Sequence, residues 1–495
     1  MEAIQTASAY IFSIQGMMLV VMGTILGITM GAIPGLTGAM LIALTLPLTF
    51  NMDPINAFIL LISMYVGAIS GGLITATLLR MPGTPASIMT TMDGYPMARQ
   101  GQAAKALGIS AVASFVGATF ATLGLTFFAP LLAKAAIHFG PADYFALYVM
   151  AFATIGGVTG VNPFKTLLAA MIGLLLASVG LDPGTGTARF TFGSFHLYDG
   201  FDPIVAIVGL FAVSEIIMYF ESHAVSGTGP AKLGRVLPKF REVFEGFSAS
   251  IRGAVIGFIC GVLPGAGASL GAFVSYSTEK QISDKHGTFG TGDPRGIAAP
   301  EAGNNAASGG ALIPMLTLGV PGSGTTAVML ALLVSLNIQP GPLLFERQPD
   351  LVWGLIAALY LANVVLLVLN IPMVGLFTRL LSLPQWLLMP IVVMVSFIGI
   401  YSISHSTFDL FVMIGFGLLG YALRKFDISL VPVVLGLLLG TDMENNLRRA
   451  LSISGGDFSI LLQSPIALVI YGFTALMLAF SFGIAMRRRP AVLDK

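Results

Sequence analysis

Apolar stretches long enough to cross a bilayer recur from residue 11 to residue 486, and four Pro-Gly pairs interrupt them. A proline removes a backbone donor and a glycine frees the dihedrals, so a helix stops there even in hydrophobic sequence. In lipid such a break is tolerated only where it is buried in protein or lines a water-filled cavity. Residues 253–326 hold the densest case: GAVIGFICGVLPGAGASLGAF, a polar bridge, then PEAGNNAASGGALIPMLTLGVPGSGTT. Gly253, Gly257 and Gly261 form a small-residue ridge on one helix face, against which another helix can pack closely. Composition agrees, since 56% of residues are hydrophobic and 9% charged, against about 25% charged in a soluble domain. A net charge of +1 says nothing about a nucleic-acid partner, and no dense basic patch appears, so none is expected. The single cysteine, Cys260, excludes an intramolecular disulfide. Without a basic region before the first apolar stretch, residues 11–33 read as a retained helix.

The chain reads as a duplication. GTILGITMGAIPGLTG (23–38) aligns without gaps to GAVIGFICGVLPGAGA (253–268), at an offset of 230. AISGG (68–72) pairs with AASGG (306–310) at 238, and MPGTP (81–85) with VPGSG (320–324) at 239. Residues 164–180 resemble 408–424, and residues 204–215 resemble 432–443. The last two offsets, 244 and 227, place an insertion peculiar to the first half at 181–203. Five matches in one order signal an internal repeat.

Basic residues set the orientation. None precedes Arg80, whereas Lys232, Arg235, Lys239, Arg241 and Arg252 lie in the bridge and Arg487, Arg488 and Arg489 in the tail. This puts the N-terminus outside and the bridge and tail in the cytoplasm. The first half then crosses an odd number of times and its copy is inverted. Arg448 and Arg449 run against this count. The expected fold is an all-α polytopic membrane protein of about 12 transmembrane helices, in two inverted-topology repeats with broken helices or re-entrant hairpins. Its divisions are a first repeat at 1–222, a cytoplasmic linker at 223–250, a second repeat at 251–450, and an extra helix with a basic tail at 451–495. The apolar stretch 251–278 contains one break, and the pieces at 36–50, 266–278 and 325–337 are half-helices or hairpin arms. Residues 231–248 read either as a surface amphipathic helix or as a solvated linker.

Paired broken helices point to a transporter's midplane site, where half-helix N-termini meet anions and C-terminal carbonyls meet cations. One break could serve packing alone. Four at matched places, Pro34-Gly35, Pro82-Gly83, Pro264-Gly265 and Pro321-Gly322, each followed by hydroxyls (Thr37, Thr84, Ser269, Ser323, Thr325, Thr326), argue for a site. The substrate candidates are Thr37, Gly38, Gly267, Ser269, Asn304, Asn305, Ser308 and Thr325; the ion candidates are Gly35, Gly265, Glu301, Asn304 and Thr326. Asn304 and Asn305 need partners in lipid, which an interhelical clamp would also supply. Glu301 holds a cation or caps a helix. Arg80 fits a snorkelling cation better than a substrate contact. His138, His196, His223, His286 and His405 show no metal-ligand spacing, and Trp353 and Trp386 fit interface anchoring. GASLG (267–271) matches G-x-S-x-G outside any strand-turn-helix setting, and neither a Walker loop nor HExxH occurs. The reading is therefore not an enzyme, has no cofactor, and derives its drive from an ion gradient.

The stretches GAIPGLTGA, RMPGTPAS, TMDGYPMARQG, ARFTFG, GVLPGAGA and PEAGNNAASGGALIPMLTLGVPGS resemble the large membrane subunit of the tripartite tricarboxylate transporters, over essentially the whole chain. That resemblance implies a multi-pass protein of a bacterial inner membrane, a symporter of carboxylates such as citrate coupled to Na+ or H+. It also implies a small four-helix-type membrane subunit and a periplasmic solute-binding protein as partners. An elevator-type movement and a homodimer are both compatible with it.

Overall fold

The computed structural model describes residues 9–33, 37–49, 52–80, 83–158, 163–182, 184–221, 239, 241–263, 267–370 and 385–487. Their secondary structure is almost wholly helical. The first half comprises α1 (Ile14–Gly31), α2 (Gly38–Thr49), α3 (Pro54–Leu79), α4 (Thr90–Arg99), α5 (Ala103–Ala136), α6 (Pro141–Val158) and α7 (Pro163–Ala177). A two-strand hairpin follows, β1 (Gly180–Leu181) with β2 (Ala188–Arg189). Then comes α8, built of Pro203–Ile207, a π-helical Val208–Val213 and Ser214–Glu221. The second half holds α9 (Phe247–Val262), α10 (Gly267–Ser283), α11 (Pro294–Gly310), α12 (Leu312–Leu318), α13 (Gly324–Ser335) and α14 (Pro349–Asn370). It ends with α15 (Gln385–Ser404), α16 (Thr407–Lys425), α17 (Leu430–Ile453) and α18 (Pro465–Arg487). Several starts are written locally: Asp202-Pro203 and Asp293-Pro294 place a capping carboxylate before a proline whose missing N–H would be unpaired anyway.

Six helices among the described residues are long and apolar enough to cross a membrane. The expected count of about 12 crossings would have to include shorter pieces, and α2 and α13, of 12 residues each, reach only about 18 Å. The stretch 251–278 resolves into a hairpin. Arg252 pairs with Glu279 through two hydrogen bonds, Nε to Oε2 at 2.7 Å and Nη2 to Oε1 at 2.6 Å. The Ser275 hydroxyl donates to the Gly253 carbonyl at 3.2 Å. So α9 and α10 run antiparallel, each only about 24–26 Å long. Residues 264–266 and the break at 34–36 lie outside the described residues, as does half of the linker segment 231–248. The linker's described part includes one 3₁₀ turn, Glu242–Phe244.

The glycine ridges do what their spacing predicts. A methyl group on Gly253, Gly257 or Gly261 would lie 2.1–2.2 Å from the carbonyl oxygens of Ala299, Gly303 and Ala307. On Gly23, Gly27 or Gly31 it would lie 2.2–2.7 Å from those of Leu60, Met64 and Ala68. Each carbonyl of the second set recurs 239 positions later in the first. The packing also corrects one alignment. An offset of 238 equates Gly71 with Gly309, yet Gly310 is the residue that meets Phe258 and Val262 as Gly71 meets Ile28 and Ala32. The register is 239 there, continuous with the Pro-Gly pair that follows.

That register extends through the breaks. Arg80 and Gly319 occupy equivalent left-handed C-cap positions, with φ of 57° and 70°. Thr84 with Ser87, and Ser323 with Thr326, form matching capping boxes beyond them. Farther along, Gly173 of α7 packs on Gly436 of α17, while Gly417 of α16 packs on Gly209 of α8. These are the cross-contacts that the offsets 244 and 227 relate to each other. The first-half insertion braces the ends: Arg448 pairs with Asp182 at 2.8 Å and Glu444 at 2.7 Å, and Arg189 pairs with Glu444 at 2.9 Å. Arg448, which runs against the charge count, is thus ion-paired.

Candidate functional site

Two equivalent helices, α3 and α11, pass each other at the centre. The Tyr65 hydroxyl donates to the Ser308 carbonyl at 2.8 Å, and the Ser70 hydroxyl donates to Asn305 Oδ1 at 3.0 Å. Rising numbers on one helix meet falling numbers on the other, so the pair is antiparallel. The flanking pair α5 and α14 repeats the arrangement, with Asn363 donating to Thr122 Oγ1 at 3.3 Å and Thr126 bonded to Tyr360 at 3.1 Å.

Asn305 joins three helices. Its amide nitrogen donates to Ser114 Oγ on α5 and to the Glu301 carbonyl, both at 3.0 Å, while its oxygen accepts from Ser70 on α3. Glu301, fully buried, accepts from the Thr90 hydroxyl of α4 and, at 3.4 Å, from Ser114. The interhelical-clamp reading of Asn305 is therefore realised. Asn304 differs: it is 1% exposed, and its amide nitrogen has no partner. Glu301 lies in the second turn of α11, while the capping role at that helix start falls to Asp293.

Two of the helix starts that follow the breaks meet beside α3. A methyl group on Gly38, at the start of α2, would lie 3.2 Å from Ala68 Cβ and 3.7 Å from Thr325 Oγ1, at the start of α13. Thr37 caps α2 through a bond from the Met40 N–H at 3.2 Å. Thr326 is engaged with Ser323, accepting its N–H at 2.8 Å and donating to its carbonyl at 2.9 Å. Ser308 donates to the Asn304 carbonyl at 2.9 Å. Gly267 has open space around it, and Ser269 is exposed. Gly35 and Gly265 fall outside the described residues. Between α3, α5, α11 and α14 lies a cavity of about 10 Å³, lined by Tyr65, Thr122, Asn305, Ser308 and Asn363 among others. It has room for about one water molecule.

Sequence reasoning missed Tyr65, Ser70, Thr90, Asp93, Ser114, Thr122 and Asn363. Asp93, inside the motif TMDGYP, is fully buried and receives the backbone N–H groups of Gly290, Gly292 and Asp293 at 2.8–3.0 Å and the Tyr276 hydroxyl at 3.1 Å. Burial pushes its carboxyl above the usual range, against the pull of those four donors. It ties the first half to the start of α11. Its signal was an acid standing alone in an otherwise uncharged motif. Arg80 is exposed, with its guanidinium 5.8 Å from the Tyr95 ring centre, in keeping with an interface cation. Among the described residues no group of three His, Cys, Asp or Glu could hold a metal ion.

Residues 17–435 match the family model of the Tripartite tricarboxylate transporter TctA family. An Agrobacterium vitis protein named "Uncharacterized 52.8 kDa protein in TAR-I ttuC' 3'region" is 38% identical over 475 residues, covering 96% of this chain and 95% of its own. A second from the same organism, "Uncharacterized protein in TAR-II ttuC' 3'region", is 40% identical over 240 residues, covering 48% of this chain and 99% of its own. No solved structure matches.

Proposed function

Because this chain belongs to the tripartite tricarboxylate transporter TctA family and is a multi-pass membrane protein, we propose that it is the large membrane subunit of a cation-coupled importer of di- and tricarboxylates such as citrate. A periplasmic solute-binding protein delivers the substrate, and a small membrane subunit completes the assembly in a bacterial inner membrane. The observation that carries this reading is the meeting of two interrupted-helix starts, Gly38 of α2 and Thr325 of α13, beside Tyr65 and Ser308. Helix N-termini carry partial positive charge, so two of them aimed at one place favour an anion. The antiparallel pairing of α3 with α11 and of α5 with α14 supports inverted repeats. The movement is of elevator type, one repeat shifting against the other to expose the site on alternate sides. The cavity is far below the about 300 Å³ of small-molecule pockets, so a solute enters by parting these helices.

The test is reconstitution in liposomes with both partners. Labelled citrate, with the other carboxylates in parallel, accumulates only under an imposed Na+ or H+ gradient and with the binding protein present. Uptake indifferent to the gradient and to the binding protein refutes the reading; gradient-driven uptake by this chain alone would make it a stand-alone carrier.

A further inference from the structure

Among the described residues, Glu301 is a carboxylate without a counter-charge. It is wholly buried, and the groups that meet it are two neutral hydroxyls, Thr90 and Ser114. The cations on the surrounding helices are committed elsewhere. Lys105 of α5 pairs with Glu245, Arg252 of α9 with Glu279, and Arg295 of α11 with Asp293. Arg99, Lys134 and Lys280 are exposed, as is Arg80 at the end of α3. The other acid on α4, Asp93, is filled by its own four donors. Leaving a full negative charge in such a place is costly, so it must be neutralised there.

The duplication shows that the fold does not need this acid. At the 239-residue register, Glu301 corresponds to Ile62, Asn305 to Val66 and Thr90 to Met329, all buried and apolar. One copy closes its core with hydrocarbon; the other keeps a carboxylate among hydroxyls. A further hydroxyl lies on the same face of α5. Ser110, one turn before Ser114 on α5, is fully buried with its hydroxyl unpartnered. Carboxylate and hydroxyl oxygens are hard donors suited to small hard cations.

We infer that Glu301, with Thr90, Ser114 and Ser110, is the seat of the coupling cation, a single monovalent positive charge that is either sodium or a proton. The assignment rests on the carboxylate-importer reading and deepens it by naming where the driving ion sits. Loading neutralises the carboxylate and lets α4, α5 and α11 stay closed; unloading leaves a charge that favours opening to water. Coupling follows, because the closed packing is stable only when the cation is present.

The first test uses the purified full chain in detergent and the cation itself as probe. Thermal unfolding is followed while NaCl replaces choline chloride at constant ionic strength, and separately while pH is lowered in sodium-free buffer. The wild type gains about 1–3 °C per tenfold rise in one of the two cations. Glu301→Gln, an amide of the same shape, loses that dependence and starts at or above the cation-free wild type. Glu301→Asp retains part of it. Indifference of the wild type to both cations overturns the inference, as does an unchanged response in Glu301→Gln or a fall of that variant below the cation-free wild type. Liposomes separate this from the functional reading. Glu301→Gln loses gradient-driven accumulation; a wild type that accumulates and a variant that matches it sink the site alone. A wild type that accumulates no carboxylate under either gradient sinks the functional reading, and the assignment with it.

Discussion

Replacing Gly257 by alanine puts one methyl group where there is no room. The added carbon would lie 2.1 Å from the Gly303 carbonyl oxygen and 2.5 Å from its Cα, both main-chain atoms that cannot swing aside. To restore ordinary contact, α9 and α11 must part by roughly 1 Å, which forfeits a quarter to a half of the dispersion energy of each facing atom pair. The loss spreads to Gly253 and Gly261, whose own contacts with α11 are equally close. With a quarter to a half of about 20 pairs at 0.1–0.2 kcal/mol each and about 1–3 kcal/mol for overpacking, the expected cost is about 1.5–5 kcal/mol. Gly27→Ala meets the Met64 oxygen at 2.3 Å and the Gly67 Cα at 2.8 Å. If both halves use one packing plan, the two substitutions should agree within about 1 kcal/mol, the scatter expected of single-site changes in different surroundings. Gly415→Ala is the control, because nothing lies within 4 Å of that exposed position; it should be neutral or stabilise by about 0.5–1 kcal/mol through helix propensity. Heating each variant in detergent and measuring the monodisperse fraction by size exclusion gives the ranking. Equal stability of Gly257→Ala and Gly415→Ala would refute the close packing. A large cost at Gly257 with none at Gly27 would refute the shared plan.

Arg80 sits at a left-handed C-cap where its counterpart is Gly319, so Arg80→Gly should stabilise by about 1 kcal/mol and Gly319→Val should destabilise by at least as much, both read by thermal unfolding. Asn305→Ala removes the junction of α3, α5 and α11 and should cost about 2–3 kcal/mol, whereas Asn304→Ala, whose amide nitrogen is unpartnered, should leave the melting temperature within about 1 °C. Both lower coupled uptake more than expression if the site assignment holds, and normal kinetics in both would remove it. The Gly184 N–H and the Arg448 guanidinium hold Asp182 below the usual carboxylate range. Its bracing of the β1–β2 hairpin is therefore complete above about pH 4 and is lost as pH falls through the lowered value. Proteolysis of that hairpin should rise only in strong acid, and Asp182→Asn should show the raised rate at neutral pH.

Most of this architecture was legible because duplication writes the same instructions twice. A glycine triplet at four-residue spacing names its own partner face, and finding it at 23–31 and again at 253–261 tells the two helices apart from ordinary apolar runs. The capping hydroxyls after the breaks were visible for the same reason, though Thr326, read as an ion ligand, is engaged in a capping box. Thr326 and Ser323 answer each other across a helix start, and a capping box has no need of a substrate. What repetition cannot show is a contact made once. Ser70, Thr90 and Ser114 come from three helices, and in sequence each looks like Ser63 or Thr24, whose hydroxyls only return to the carbonyl four residues back. The carboxylate they surround belongs to this second kind of information, since its counterpart is Ile62. A duplicated fold conserves what both halves need in order to stand. The places where the halves differ in polarity while sharing their packing are therefore where a task has been added, and Glu301 opposite Ile62 is such a departure in the fully buried core. Exchanging the two, Ile62→Glu with Glu301→Ile, should move neither cation dependence nor coupling to the first half, because Met329 and Val66 offer no hydroxyl there; a swapped protein that still couples would show that the acid alone, and not its surroundings, makes the site.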